Sequence, residues 1–239
     1  MSPAARGADS LEEVCSALLP SLRGSDLSAL AYDYADLGLD KIFGSRSVQQ
    51  IPVFRTLATF MSVGSELRNL FFRKKLLRFL LEFRDVPRED RERQISKLIV
   101  DPNEQRRVAE HLTLVLDRLN NMEKAPLIAR SFLIYLEGRL NRSEMIALNH
   151  SIDHLEMEAL PALEAFFDAS DAHDPDRPTL AEIGVEWQTH LAMCGFLRIK
   201  PDLFGSIRSN QPAVVFIASE LGKKFVRIIL RREKGASSI

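Results

Sequence analysis

A chain of 239 residues with 46% apolar and 27% charged side chains lies in the range of ordinary globular proteins, long enough for one large or two small domains. The 32 Lys and Arg offset 33 Asp and Glu to a net charge of -1, so only local asymmetry bears on whether the partner is nucleic acid, lipid or protein. Disorder of the whole chain is excluded by its apolar content. A disulfide framework is excluded because Cys15 and Cys194 are the only cysteines, and they lack paired spacing for zinc.

Met1 to Ser10 has no apolar run and does not read as a signal peptide, and two lone cysteines suit a reducing cytosol. Helix starts recur where a short polar side chain precedes a Glu by three residues, because each satisfies an orphan amide of the other. Ser10 with Glu13, Asp101 with Glu104, Asn141 with Glu144 and Thr179 with Glu182 fit that rule, and Pro102 stands where a missing N–H costs nothing. Apolar spacings of three and four predict helices over about 10–20, 25–43, 51–83, 87–100, 102–120, 123–139, 142–168 and 179–194.

Strand chemistry comes late, at 195–200 and 213–218, where FLRIK and AVVFIA are short and rich in branched and aromatic residues. They predict a hairpin, after which Ser219 caps a last helix to about 232. The polar stretch DASDAHDPDRPT, 168–179, carries two prolines and marks the expected division into a helical bundle, 1–170, and a linker with a C-terminal module, 171–239. Its alternating acids lack the glycine and closing Glu of a calcium loop. The fold class expected is mainly α, with one β-hairpin.

Residues 46–84 hold eight basic side chains and two acids, a local charge of +6, interleaved with many leucines and phenylalanines. One reading is an element that lies on a bilayer or on a partner, with aromatics at the acyl boundary and Lys and Arg at anionic head groups. Phe54, Phe60, Phe71, Phe72, Arg73, Lys74 and Lys75 are the candidates for that surface. Charge reversal at Arg73, Lys74 and Lys75 is then expected to abolish binding without unfolding. The apolar part, 51–63, contains Arg55 and is shorter than the ~20 residues of a spanning helix. The competing reading is a core helix whose long basic side chains reach out to water.

From 143 to 176 there are nine acids and no Lys or Arg, which offers charge complementarity to 46–84 or a solvated face. His150, His154 and Glu158, spaced by four, form the one metal candidate. Their stripe points away from the apolar set Met145, Leu148, Ile152 and Leu155, so a surface histidine pair competes with it. No phosphate loop, dinucleotide fingerprint, nucleophile elbow or kinase set is present, nothing in the sequence places a His beside Cys194, and His190 has no evident partner. A non-enzymatic protein without a cofactor is expected.

The stretch from Trp187 to Leu230 resembles the end of a winged-helix domain. Gly195, Phe196 and Leu197 stand where the recognition helix gives way to a strand, Phe216 and Ile217 on the returning strand, and Ser219, Leu221 and Gly222 at the next helix start. That resemblance implies nucleic-acid or protein contact, with Lys200, Arg208, Lys223, Lys224 and Arg227 available to phosphates. The presumed recognition helix offers Gln188, Thr189 and His190 but no Arg or Lys for a guanine edge. The middle of the chain, LRNLFFRKKLLRFLLEF and MEKAPLIARSFLIYLEGRLNRSEMIAL, is similar to bacterial proteins of mobile and defence-type gene neighbourhoods.

The expectation drawn from these features is a cytoplasmic effector or sensor, peripheral to or inserted in the inner membrane. It self-associates, engages a membrane or protein partner through 46–84, and is controlled through its C-terminal half by a nucleotide, nucleic acid or protein. A DNA-binding regulator and a soluble helical adaptor are the alternatives.

Overall fold

The computed structural model describes residues 3–59, 66–171, 185–202 and 213–231. The chain is mainly helical, with twelve α-helices and one two-stranded antiparallel sheet among those residues. It divides into two compact units, 1–142 and 143–239.

The first unit begins with α1, Pro3–Gly24, so Ser10 lies inside a helix rather than capping one. Asp26 starts α2, Leu27–Lys41, by accepting from the amides of Ser28 (3.1 Å) and Ala29 (3.0 Å). Gly38, at φ 71°, interrupts the helical backbone near its end. Short α3, Arg46–Gln50, is followed by α4, Pro52–Thr59. Ile51 is extended between them, as a residue before proline prefers, so the expected continuous helix over 51–83 starts one residue late. Its second part is α5, Glu66–Leu81, and the intervening 60–65 fall outside the described residues.

Next come α6, Arg88–Leu98, α7, Pro102–Arg118, and α8, Lys124–Leu136. Asp101 caps α7 through the Asn103 amide at 3.1 Å, with Pro102 in its first turn. The helix α1 packs on α4, α6 and α7, while α5 packs on α2, α7 and α8. Their shared core holds Leu76, Leu77, Leu80, Phe79, Phe83 and Phe132 at no more than 1% exposure. Phe79 and Phe83 lie 5.4 Å apart, and Phe83 and Phe132 6.1 Å. Most of α5 is therefore the core helix of this unit.

Helix ends inside the unit are closed by buried polar side chains. Ser21 donates to Ala17 O (2.7 Å) and accepts from the Val53 amide (2.9 Å), fixing the start of α4 on α1. Arg91 donates to Leu22 O (2.7 Å) and Ser25 O (2.9 Å), closing the carboxyl end of α1. Lys75 does the same for α7, donating to Asp117 O (2.7 Å) and Leu119 O (3.0 Å).

In the second unit α9, Arg142–His154, stops short of the predicted 168. Glu156 is extended, a 3₁₀ turn spans Met157–Ala159, and α10 runs over Leu160–Asp171. The break is held by the Glu156 amide donating to His190 Nε2 at 3.0 Å. The sequence places a boundary after 170, yet α9 and α10 group with the C-terminal elements. Phe167 reaches Gly222, and Phe166 and Phe167 are buried there.

The unit continues with α11, Val185–Met193, β1, Leu197–Asp202, and β2, Ala213–Ala218. The strands pair antiparallel from Leu197 opposite Ala218 to Asp202 opposite Ala213, as the sequence predicts. Gly195, at φ 84°, makes the turn from helix to strand. Ser219 accepts from the Gly222 amide (2.9 Å) and donates to Gly195 O (2.7 Å), opening α12, Glu220–Lys224, which runs on as a π-helix over Phe225–Leu230. Phe196 and Phe225, both fully buried, pack as tilted rings with centroids 4.6 Å apart.

Candidate functional site

Two large apolar side chains of the basic segment, Leu70 and Phe71 in α5, reach the surface. Phe71 is 51% exposed and Leu70 37%, while the apolar residues of the following turns of the same helix are buried. Lys74, half-buried, lies three and four residues on, hence on the same face. An exposed aromatic and leucine next to a cation is an arrangement suited to a lipid interface or an apolar partner with an acidic rim.

The other expected members of that surface are placed differently. Phe54 and Phe72 are buried, and Phe60 lies outside the described residues. Arg73 sits 4.4 Å over the Phe43 ring, which meets Phe54 edge-on at 5.9 Å, so a cation and two aromatics tie α4 and α5 together. Burial holds the Arg73 pKa below its ordinary value. Lys75 is 5% exposed and caps α7. Of the seven candidates, Phe71 is exposed and Arg73 and Lys74 are half-buried. The burial of Phe54, Phe72 and Lys75 corrects the sequence reading: the two rings fill the core of this unit, and the Lys75 ammonium is engaged by the carbonyls at the end of α7.

Among the candidate nucleic-acid contacts, Lys200 is exposed on β1 and Arg227 on the π-helix, while Arg208 lies outside the described residues. Lys223 pairs with Glu220 at 2.8 Å, and Lys224 pairs with Glu144. Arg231 pairs with Asp168. Two of the nine acids of 143–176 are thus matched by cations within their own unit.

The metal candidates do not converge. His150 and His154 stack at 4.3 Å, and the His154 ring Nδ1 lies 2.9 Å from His150 O. Glu158 lies in the 3₁₀ turn, beyond the break at Glu156 that destroys the common stripe. No group of three or more potential ligands gathers among the described residues.

Two arrangements escape the sequence reading. His190 Nε2 lies 3.6 Å from Cys194 Sγ, one helical turn away, and their spacing of four is the signal that was there to find. The same nitrogen accepts the Glu156 N–H, so its lone pair is engaged in the fold. Cys194 itself is buried. The second is a cleft of about 250 Å³ between α1 and α7, lined by Glu12, Cys15, Leu19, Arg23, Arg106 and Glu110. Arg106 bridges Glu12 and Glu110 at 2.8 Å each, and burial pushes the Cys15 thiol up. Neither arrangement pairs an accessible nucleophile with an available base.

Comparison with family models, with curated proteins and with solved structures finds no match, so the functional reading stands on the geometry.

Proposed function

We propose that this chain is a non-enzymatic effector or sensor that engages an anionic membrane surface peripherally through the start of α5. The observation that carries the reading is the exposure of Phe71, with Leu70 beside it and Lys74 on the same face, on a basic stretch of the chain. The chemistry is that of an interfacial contact: the apolar rings enter the boundary and the cations meet phosphate.

Magnitudes decide how such a contact works. Burying the exposed half of Phe71 is worth about 1 kcal/mol, and each Lys or Arg near an anionic surface adds about 1 kcal/mol. One copy therefore binds weakly and reversibly. Self-association, which presents two or more such contacts together, raises the avidity without any new contact. No helix among the described residues is long and apolar enough to cross a membrane, and the reading needs none.

The helix–strand–strand–helix order of α11, β1, β2 and α12, with Gly195 at the turn and Ser219 at the cap, supports a winged-helix-like module in the second unit. We read it as a protein-contact module, since Lys223 and Lys224 already meet carboxylates.

Sedimentation with vesicles tests the proposal. The chain is expected to co-sediment with phosphatidylcholine vesicles containing phosphatidylglycerol and not with phosphatidylcholine alone. Phe71→Ser with Lys74→Glu should weaken binding at least about tenfold, a loss of about 1.4 kcal/mol. Equal binding to neutral vesicles, or an unaffected variant with native circular dichroism, contradicts it.

A further inference from the structure

The two strands of the small sheet protect their edges unequally. β1 reads LRIKPD, with Arg198, Lys200, Pro201 and Asp202, and α11 packs against it. β2 reads AVVFIA and carries no charge and no proline. Folded proteins blunt an open edge with lysine, proline or a covering element, because unpaired N–H and C=O groups recruit another strand. β1 carries those residues, and β2 carries neither a charge nor a proline.

Ladder parity says which groups β2 leaves open. The Ser219 amide donates to Phe196 O at 3.1 Å, one step beyond the Leu197–Ala218 pair, which places Ser219 and Phe196 in the hydrogen-bonded parity of the ladder, the Phe196 amide itself donating to Leu191 O. Such pairs alternate along an antiparallel ladder. Residues 213, 215 and 217 therefore turn their backbone groups to β1, and Val214, Phe216 and Ala218 turn theirs outward. No third strand pairs with β2 among the described residues.

We infer that the outer edge of β2 pairs antiparallel with β2 of a second copy of this chain, joining two hairpins into a four-stranded sheet on a two-fold axis. The occupant is a second copy because β2 is complementary to itself. With the axis at Phe216, that residue faces its own equivalent and Val214 faces Ala218 of the second copy. All three outward residues of each strand are then matched, with about six new main-chain hydrogen bonds and no like charges opposed. A two-stranded hairpin is marginal alone, and the second pair of strands gives the sheet the width it lacks. The inference supplies the self-association that the membrane reading uses, but it is read out by size and exchange, so the two fail separately.

The full chain is expected to be a dimer by light scattering at about 100 µM. By NMR exchange, the Phe216 and Ala218 amides are expected to be as protected as those of Val215 and Ile217. Val214→Pro removes an outward N–H and leaves the bonds to β1 in place, so it should give a monomer with unchanged circular dichroism and fast exchange at Phe216. Val214→Lys, which keeps the backbone donor and adds an edge charge, should do the same if the proline variant fails to fold. A monomeric wild type, fast exchange at Phe216 in the wild type, or a folded Val214→Lys variant that remains dimeric overturns the inference.

Discussion

Lys75 and Phe71 lie one turn apart on α5 and do opposite things. The Lys75 ammonium is buried and donates to two carbonyls at the end of α7, whereas the Phe71 ring is half in water. Replacing Lys75 with Met leaves those carbonyls without their charged donor and should cost about 1.5–3 kcal/mol in urea unfolding. Reversing Arg73, Lys74 and Lys75 together is accordingly expected to unfold the first unit, so the surface is tested at Phe71 and Lys74 instead. This distinction was not legible in the sequence, because the partners of Lys75 lie 42 and 44 residues away.

At the same scale, His111 is held below its ordinary pKa by burial, helped by Arg118 and Arg142. The folded protein keeps that imidazole neutral while the unfolded chain takes up a proton below about pH 6.5. Stability is therefore full above that value and falls as the pH drops toward the folded pKa, where the loss levels off. A His111→Leu variant should flatten the dependence of the urea midpoint between about pH 7.5 and 5, and an unchanged slope would assign the effect to other groups.

At the scale of elements, close approach decides what a helix tolerates. Gly222, in the first turns of α12, has the Phe196 carbonyl and the Phe167 ring where a side chain would stand. Gly222→Ala has to push the hairpin or α10 aside and should lower stability by about 1–3 kcal/mol in chemical unfolding, although alanine is the better helix former. The sequence showed a glycine after a cap, but its steric reason needed Phe196, some 26 residues earlier in the chain. Most helices, the Asp101 and Ser219 caps and both strands were legible, since periodicity and capping are local. The break at Glu156 was not, because it depends on the His190 ring from another helix. The Cys194–His190 contact was within reach of a spacing argument, while the cleft at Cys15 depends on two helices about 90 residues apart.

For the molecule as a whole, the legible part was the class: a mainly helical chain with one hairpin. What composition could not divide was the 46–84 segment between core and surface, since the same phenylalanines and leucines serve either. The fold divides it. Phe79, Phe83 and the leucines around them fill the first unit, and Phe71 near the start of α5 is left exposed. Each unit closes its own core, and charge is partly neutralised internally by pairs such as Arg130 with Glu82 and Lys224 with Glu144. The function proposed rests on the exposed remainder. A Phe71→Trp variant reports on it directly, because Trp187 is the only other tryptophan and its contribution is measured in the unmodified chain. On adding phosphatidylglycerol-containing vesicles, emission from position 71 should shift to the blue and become resistant to an aqueous quencher. Emission and quenching that stay as they are without lipid, with the protein folded, would contradict the central claim.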